Sequence, residues 1–238
     1  MYKNKKVSVV ISTYNEDGSI KGVIDGLFAT NFVDEVVVVD NNALGNTREE
    51  VAKTRARLVV ETKQGLGHGM RKGFEEVTGD LIAVIDADGT YQSKDIEKLL
   101  SYSDEFDVVL GTRTSRSAIW SGAFMPFSVR IANSLWAKAV EFLYNGPLLS
   151  DVGCLYKLIS RKALNDVKDL FPIGRADGLF NIEMIIWFLK RDLKIIEIPV
   201  IFKERVGKSI YVGTSILKAA KWGLKMIPII LKYRFKRI

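Results

Sequence analysis

Leu81-Ile82-Ala83-Val84-Ile85-Asp86-Ala87-Asp88-Gly89 is the stretch on which the reading of the fold turns. Five consecutive apolar residues without alternation predict a strand buried on both faces, and such strands belong to parallel sheets covered by helices. The run then gives way to two carboxylates two residues apart. In extended backbone, positions i and i+2 project to the same side, so Asp86 and Asp88 come together at the strand end. Like charges placed this way repel unless a cation or a proton neutralises them. A hard ion such as Mg²⁺ or Mn²⁺ suits the pair, because it takes few protein oxygens and keeps positions for substrate phosphates. Asp and Gly are also turn formers, so taken alone the four residues fit a plain turn after a strand just as well.

On either side of this stretch, short Val/Ile runs alternate with longer mixed segments. They predict strands near 7–12, 36–40, 57–61, 81–86 and 107–111. Helices are expected at about 18–29, 45–55, 68–78 and 94–101, the last capped by Ser93. This is the pattern of an α/β fold with a mostly parallel sheet and helices on both faces. The second half is less regular. It offers a helix over 128–143, a break at Asn145-Gly146-Pro147, a helix over 179–191 and a strand over 195–202 closed by Pro199. With no repeat and no low-complexity linker, residues 1–238 are read as one unit. Residues 1–112 form a binding half, 113–212 an acceptor-side half, and 213–238 a basic amphipathic helix.

In an open parallel sheet, ligands bind beyond the carboxyl ends of the strands. Besides Asp86-Ala87-Asp88, the first two strands end in polar residues, Thr13-Tyr14-Asn15-Glu16 and Asp40-Asn41-Asn42. Asp40 can accept N–H bonds from a nucleobase edge or can cap the following helix. Gln64-Gly65-Leu66-Gly67-His68-Gly69 follows the third strand and opens a helix, so its glycines allow backbone to approach a ligand. The spacing is not that of the dinucleotide fingerprint. His68 is expected to be a loop residue, and the single Cys154 a small core residue in a reduced, cytosolic setting.

In this order the motifs resemble the family-2 inverting glycosyltransferases of the GT-A fold, closest to the dolichyl-phosphate mannose and glucose synthases, over nearly the whole chain. The matching residues are Val10 to Glu16, Val38 to Asn42, Gly65-Leu66-Gly67, Gly79-Asp80 and Asp86 to Tyr91. They continue through Gly111-Thr112-Arg113, Asn133, Asp151, Gly153, Glu183, Glu197 to Val200, Arg205, Gly207 and Ser209. The resemblance implies a nucleotide-diphosphate sugar donor, a UDP- or GDP-sugar, held by Thr13, Tyr14, Asn15, Glu16, Asp40, Gly65, Gly67 and Asp86-Ala87-Asp88. Asp86 would meet the ribose and metal region and Asp88 the metal, Mg²⁺ or Mn²⁺. Arg113 and Arg205 would face phosphate charge, for which the guanidinium fork is suited. The chain departs from the mannose synthases at Thr90 and Gln92. Where the family carries Gly-Phe-Arg it has Gly153-Cys154-Leu155-Tyr156-Lys157, which keeps the cation only approximately.

An inverting transfer needs in-line attack on the anomeric carbon while the nucleoside diphosphate departs. A hydroxyl acceptor calls for a carboxylate base, and Glu183 and Asp151 are the candidates. A polyprenyl monophosphate, with a second pKa of about 6, is largely ionised already and calls for none. With the basic tail, the resemblance implies hexose transfer to a polyprenyl phosphate at the cytoplasmic membrane face as the expected reaction, with a soluble sugar or glycan acceptor as the alternative.

Charge bears on that choice. The formal net charge of the 238 residues is +7, but residues 203–238 hold ten Lys/Arg against Glu204 alone, so this tail is +9 and the rest −2. On a helix over 214–235, Lys218, Lys221, Lys225 and Lys232 share one stripe, flanked by Trp222, Ile229 and Tyr233. Ile216, Ala220, Leu224, Ile227 and Leu231 lie opposite. Two readings stand: an interfacial helix on anionic membrane, or a helix packed on the domain with solvated lysines. Pro228 is expected to kink it, and residues 232–237 can equally meet a partner that supplies membrane spans. No run reaches the roughly 18 apolar residues of a spanning helix. The basic tail carries no nucleic-acid motif, so neither a nucleic-acid binder nor a silent sugar-nucleotide scaffold accounts for the intact carboxylate pair.

Overall fold

The computed structural model describes residues 1–14, 16, 18–171, 179–206 and 216–236, with backbone alone for 216–222. Seven strands form one sheet: β1 (Val7–Thr13), β2 (Glu35–Asp40), β3 (Arg57–Val60), β4 (Leu81–Val84), β5 (Val108–Thr112), β6 (Lys157–Ser160) and β7 (Ile195–Pro199). Their order is β3-β2-β1-β4-β6-β5-β7. All pairings are parallel except those of β6, which runs antiparallel between β4 and β5.

The Val/Ile runs bury both faces as expected. Val10, Val37, Val39, Ile82 and Val84 point into one core layer, and Val7, Val9, Ile11, Val36, Val38, Leu81 and Ala83 into the other. The second layer is closed by α1 (Ile20–Phe28), α2 (Thr47–Ala52) and α4 (Ile96–Ser101). The first is closed by α3 (Leu66–Glu76), α5 (Phe127–Tyr144), α6 (Arg161–Val167), α7 (Phe180–Lys190) and α8 (Ile216–Phe235). From Phe180 to Leu189 every residue of α7 is buried, the condition of a helix apolar on all sides.

Two close approaches fix α3 against β1. A Cβ on Gly69 would collide with Ser12 Oγ, and one on Gly73 with Val10 Cγ1. These glycines are four apart on one helix face, so their role is to let α3 lie directly on the sheet.

Several expectations need correction. β4 stops at Val84 rather than at 86, so Asp86 and Asp88 stand in the turn beyond the ladder. Ser93 does not cap α4: it opens a 3₁₀ turn, Asp95 takes the N-cap, and Ser93 Oγ donates to Val23 O at 3.1 Å. His68 lies in the first turn of α3, not in a loop. The strand expected over 195–202 ends at Pro199, after which only Phe202 makes isolated bridges, to Tyr91 and Ile119. β6 and α6 were not foreseen. β6 is four residues long, and Ser160 caps α6 immediately after it by accepting from Ala163 N at 3.2 Å.

Candidate active site

The parallel register brings the carboxyl ends of β1, β2, β4 and β5 to one edge. Thr13 is paired with Asp40, and Ile85 N donates to Val10 O at 3.3 Å as the chain leaves β4. Asp88 is buried and its Oδ1 accepts from Thr90 N at 3.0 Å and Thr90 Oγ1 at 2.6 Å, a turn closed by the side chain. Its other oxygen, Oδ2, accepts from Arg205 Nη1 at 2.6 Å. Arg205 Nη2 donates to Glu16 Oε1 at 3.2 Å, so one guanidinium bridges the β4 carboxylate and the end of β1.

Arg205 is brought there by a strap. Lys203 N donates to Thr90 O at 2.7 Å and Val206 N to Asp88 O at 3.0 Å, which lays residues 203–206 across the 88–90 turn. At its start, Phe202 N donates to Ala118 O and Trp120 N to Phe202 O, and Tyr91 packs on the Phe202 ring.

Asp86 accepts no hydrogen bond from any described residue. Burial and the neighbouring Asp88 push its carboxyl up to about 7, although Arg113 and Arg205 pull the other way. A carboxylate held this close to a proton at neutral pH is one that a cation would stabilise in its ionised form. Asp86 and Asp88 together offer the kind of carboxylate oxygens that a hard divalent ion takes.

Glu16 Oε2 accepts from Thr13 Oγ1 at 2.9 Å and Tyr14 N at 2.7 Å, which folds the end of β1 onto itself. Asn15 lies outside the described residues. Asp40, fully buried, accepts from Ala43 N at 2.6 Å and pairs with Arg48, so it closes its own turn and does not cap α2. Asn41, which the sequence offers no reason to single out from its motif, organises the glycine loop. Its Nδ2 donates to Glu61 O and Lys63 O, and its Oδ1 accepts from Gly65 N at 2.6 Å. Gly65 adopts φ 136°, which only glycine takes readily, at the start of α3, and Gly67 is buried in its first turn.

The acceptor-side candidates separate. Asp151 is buried and clamps Arg113 with both oxygens, Nε to Oδ2 at 2.8 Å and Nη2 to Oδ1 at 2.9 Å. It also accepts from Arg113 N and Gly153 N. Burial alone would raise its pKa, but Arg113 and these bonds hold it below the ordinary carboxylate value. As a base it is spent; it orients Arg113. Glu197 supports it from β7, accepting from Ser150 N, Ser150 Oγ and Asp151 N, and burial pushes its carboxyl up to about 7. Among the described residues, Glu183 is not joined to this group by any of these bonds. It is fully buried on α7 and accepts from Tyr233 Oη of α8 at 3.3 Å.

Lys157, read as an approximate stand-in for an acceptor-facing arginine, is fully buried in β6. It donates to Cys154 O and to Asn181 Oδ1, and burial pulls its pKa down to about 8. Asn181 Nδ2 in turn donates to Gly153 O at 2.9 Å, so the lysine braces the 151–155 turn from beneath. Cys154 is buried, and desolvation raises its thiol to about 11, in keeping with a core role.

Fold and site together define a mixed α/β domain with a mostly parallel sheet, whose acidic residues at the β4 end are influenced by two arginines, Arg113 and Arg205. A family model for glycosyl transferase family 2 matches residues 8–168, and the chain belongs to that family. Among curated relatives, the low-salt glycan biosynthesis hexosyltransferase Agl6 of Haloferax volcanii is 31% identical over 210 residues, covering 85% of this chain and 49% of that protein. The dolichyl-phosphate beta-glucosyltransferase of Saccharomyces cerevisiae is 26% identical over 245 residues, covering 90% and 72%. The chain therefore spans about half the length of the first relative and most of the second. A crystal structure of glucosyl-3-phosphoglycerate synthase from Mycobacterium tuberculosis, with Mn²⁺, UDP and glucosyl-3-phosphoglycerate, superposes with a TM-score of 0.72 at 17% identity. It covers 99% of this chain and 82% of its own, and establishes the GT-A fold.

Proposed function

We propose that the protein transfers a hexose, with inversion, from a UDP- or GDP-sugar to a polyprenyl phosphate at the cytoplasmic face of a membrane. One observation carries the choice of acceptor. The two carboxylates that the sequence offers as bases are both committed elsewhere, Asp151 to Arg113 and Glu183 to the α7–α8 contact. A phosphate acceptor arrives ionised and needs neither. The dolichyl-phosphate acceptor in the name of the yeast relative supports the same reading.

On this reading Thr13, Tyr14, Glu16 and Asp40 bind the nucleoside, and the 65–67 backbone lies alongside it. Asp86 and Asp88 would hold Mg²⁺ or Mn²⁺, which would supply positive charge against that of the departing diphosphate. Arg205 leaves Asp88 for phosphate oxygens as donor binds, and Arg113, kept in place by Asp151, meets phosphate charge from the acceptor side.

The test is incubation with Mn²⁺, radiolabelled UDP-glucose or GDP-mannose, and polyprenyl phosphate. Label moving into the organic phase supports the reading. Transfer to a soluble sugar or phosphorylated acceptor, with none to a panel of polyprenyl phosphates, rejects it.

A further inference from the structure

The outward side of α5 is the reverse of what a water-facing helix requires. Phe127, Ile131, Leu135, Lys138 and Phe142 recur at intervals of four, four, three and four, one stripe of the helix, and all five are exposed. Phe142 is 86% exposed, Phe127 70% and Leu135 65%. α8 repeats the arrangement with Leu224, Ile227, Leu231 and Phe235, exposed at three- and four-residue steps. Its inner side is formed by Ile229, Ile230 and Tyr233, so the helix does pack on the domain. Ile229 and Tyr233, expected beside the lysines, are the buried ones, while Leu224, Ile227 and Leu231 face out.

The two helices run side by side in the same direction. Gly223 lies against Trp136, and eight residues further on Tyr144 Oη donates to Ile230 O at 2.6 Å. Their stripes therefore lie on neighbouring helices and together hold eight of the sixteen exposed large apolar side chains among the described residues, a concentration rather than a scatter. Trp120 and Phe124, also exposed, lie on the segment leading into α5.

We infer that the α5–α8 surface is a docking face for an anionic lipid monolayer. Charge selects this occupant. α8 carries no acid, and Lys225, Lys232, Arg234 and Lys236 are exposed along and just after it. On α5 the one acid, Glu141, is tied to Lys138 at 2.6 Å. Apolar side chains ringed by cations match acyl chains beneath anionic headgroups. A second copy would set cation against cation, and an apolar membrane helix of a partner would offer no anion to Lys232, Arg234 and Lys236. The face also connects to the site. A groove of about 210 Å³ runs from Phe127, Ile131 and Leu135 to Thr114 and Ser134. Thr114 follows Arg113, and Ser134 Oγ donates to Ser150 O beside Asp151.

The choice of lipid as occupant rests on the polyprenyl-phosphate reading, but the two fail separately. The full chain is sedimented with vesicles of phosphatidylcholine containing phosphatidylglycerol and with phosphatidylcholine alone, as wild type and as Phe127→Ser/Leu135→Ser/Phe142→Ser. Wild type is expected to bind the anionic vesicles, with the triple variant weaker by about tenfold or more. Lys225→Gln/Lys232→Gln is expected to weaken binding to the anionic vesicles only. All the altered side chains are exposed, and unchanged melting temperatures establish that the variants fold. Transfer to a short, water-soluble prenyl phosphate without vesicles should be equal in wild type and Phe142→Ser, whose side chain lies outside that groove. Its absence in wild type strikes the acceptor assignment and leaves the vesicle result standing. Vesicle binding unchanged by the triple variant, or self-association that the triple variant abolishes without any vesicle binding, overturns the docking face.

Discussion

Arg205 and Asp88, separated by 117 positions in sequence, are joined at 2.6 Å, the guanidinium resting on the carboxylate proposed for the metal. A protein cation therefore occupies the ground that a divalent ion would claim. Arg205→Ala is expected to tighten Mn²⁺ binding in the absence of nucleotide, by about tenfold if the charge-assisted bond contributes on the order of 1.5 kcal/mol. Calorimetric titration of Mn²⁺ alone measures this. Sugar transfer by the same variant is expected to fall, because the arginine is no longer there to meet phosphate.

Asp151 is a positioning residue in this account. Asp151→Ala leaves Arg113 buried without its partner and is expected to cost about 3–5 kcal/mol in urea unfolding. Asp151→Asn, which keeps the shape, should lower transfer to polyprenyl phosphate while leaving the form of the pH–rate profile unchanged. A base would take one limb of the profile with it.

Lys157 gives a pH signature. Burial lowers its pKa from 10.5 to about 8. Between these values the unfolded chain binds more protons than the native one, so stability rises with pH from about 8 to 10.5 and the full penalty applies below 8. The urea midpoint should climb over that window in the wild type, other titrations being common to both proteins, and climb less in Lys157→Met.

Gly73→Ala tests the contact of α3 with the sheet. The added methyl meets Val10 Cγ1 inside a packed layer, and overpacking of this kind costs about 1–3 kcal/mol. Thermal unfolding should show the loss. Gly22→Ala on α1, where a Cβ meets nothing within 4 Å, should show none.

What the sequence made legible follows from how local each signal is. Unbroken apolar runs such as Val36 to Val39 and Leu81 to Ile85 are strand signals complete in themselves, and the polar residues that end them marked the ligand edge. β6 escaped because Lys157 at its head reads as a polar break, and only its tertiary partners, Cys154 O and Asn181, make it a buried strand residue. The bond between Arg205 and Asp88 depends on a strap crossing from the far side of the sheet, which no spacing announces. Asp151 and Glu183 are base candidates in the sequence through their chemistry as carboxylates. Their partners, Arg113 and Tyr233, decide what that chemistry is used for. On α8 the lysine stripe was visible, but the inward side was set by Trp136 and Tyr144 of α5, not by the helix's own period.

On the proposed function, the carboxylates beyond β4 hold the donor diphosphate through a divalent ion. Calorimetric titration of UDP- and GDP-sugars into the protein, with and without Mn²⁺ and with Asp88→Asn alongside, measures this. Nucleotide-sugar binding is expected to require Mn²⁺ and to be lost in Asp88→Asn. Binding indifferent to both the metal and the substitution would show that these carboxylates do not hold the donor.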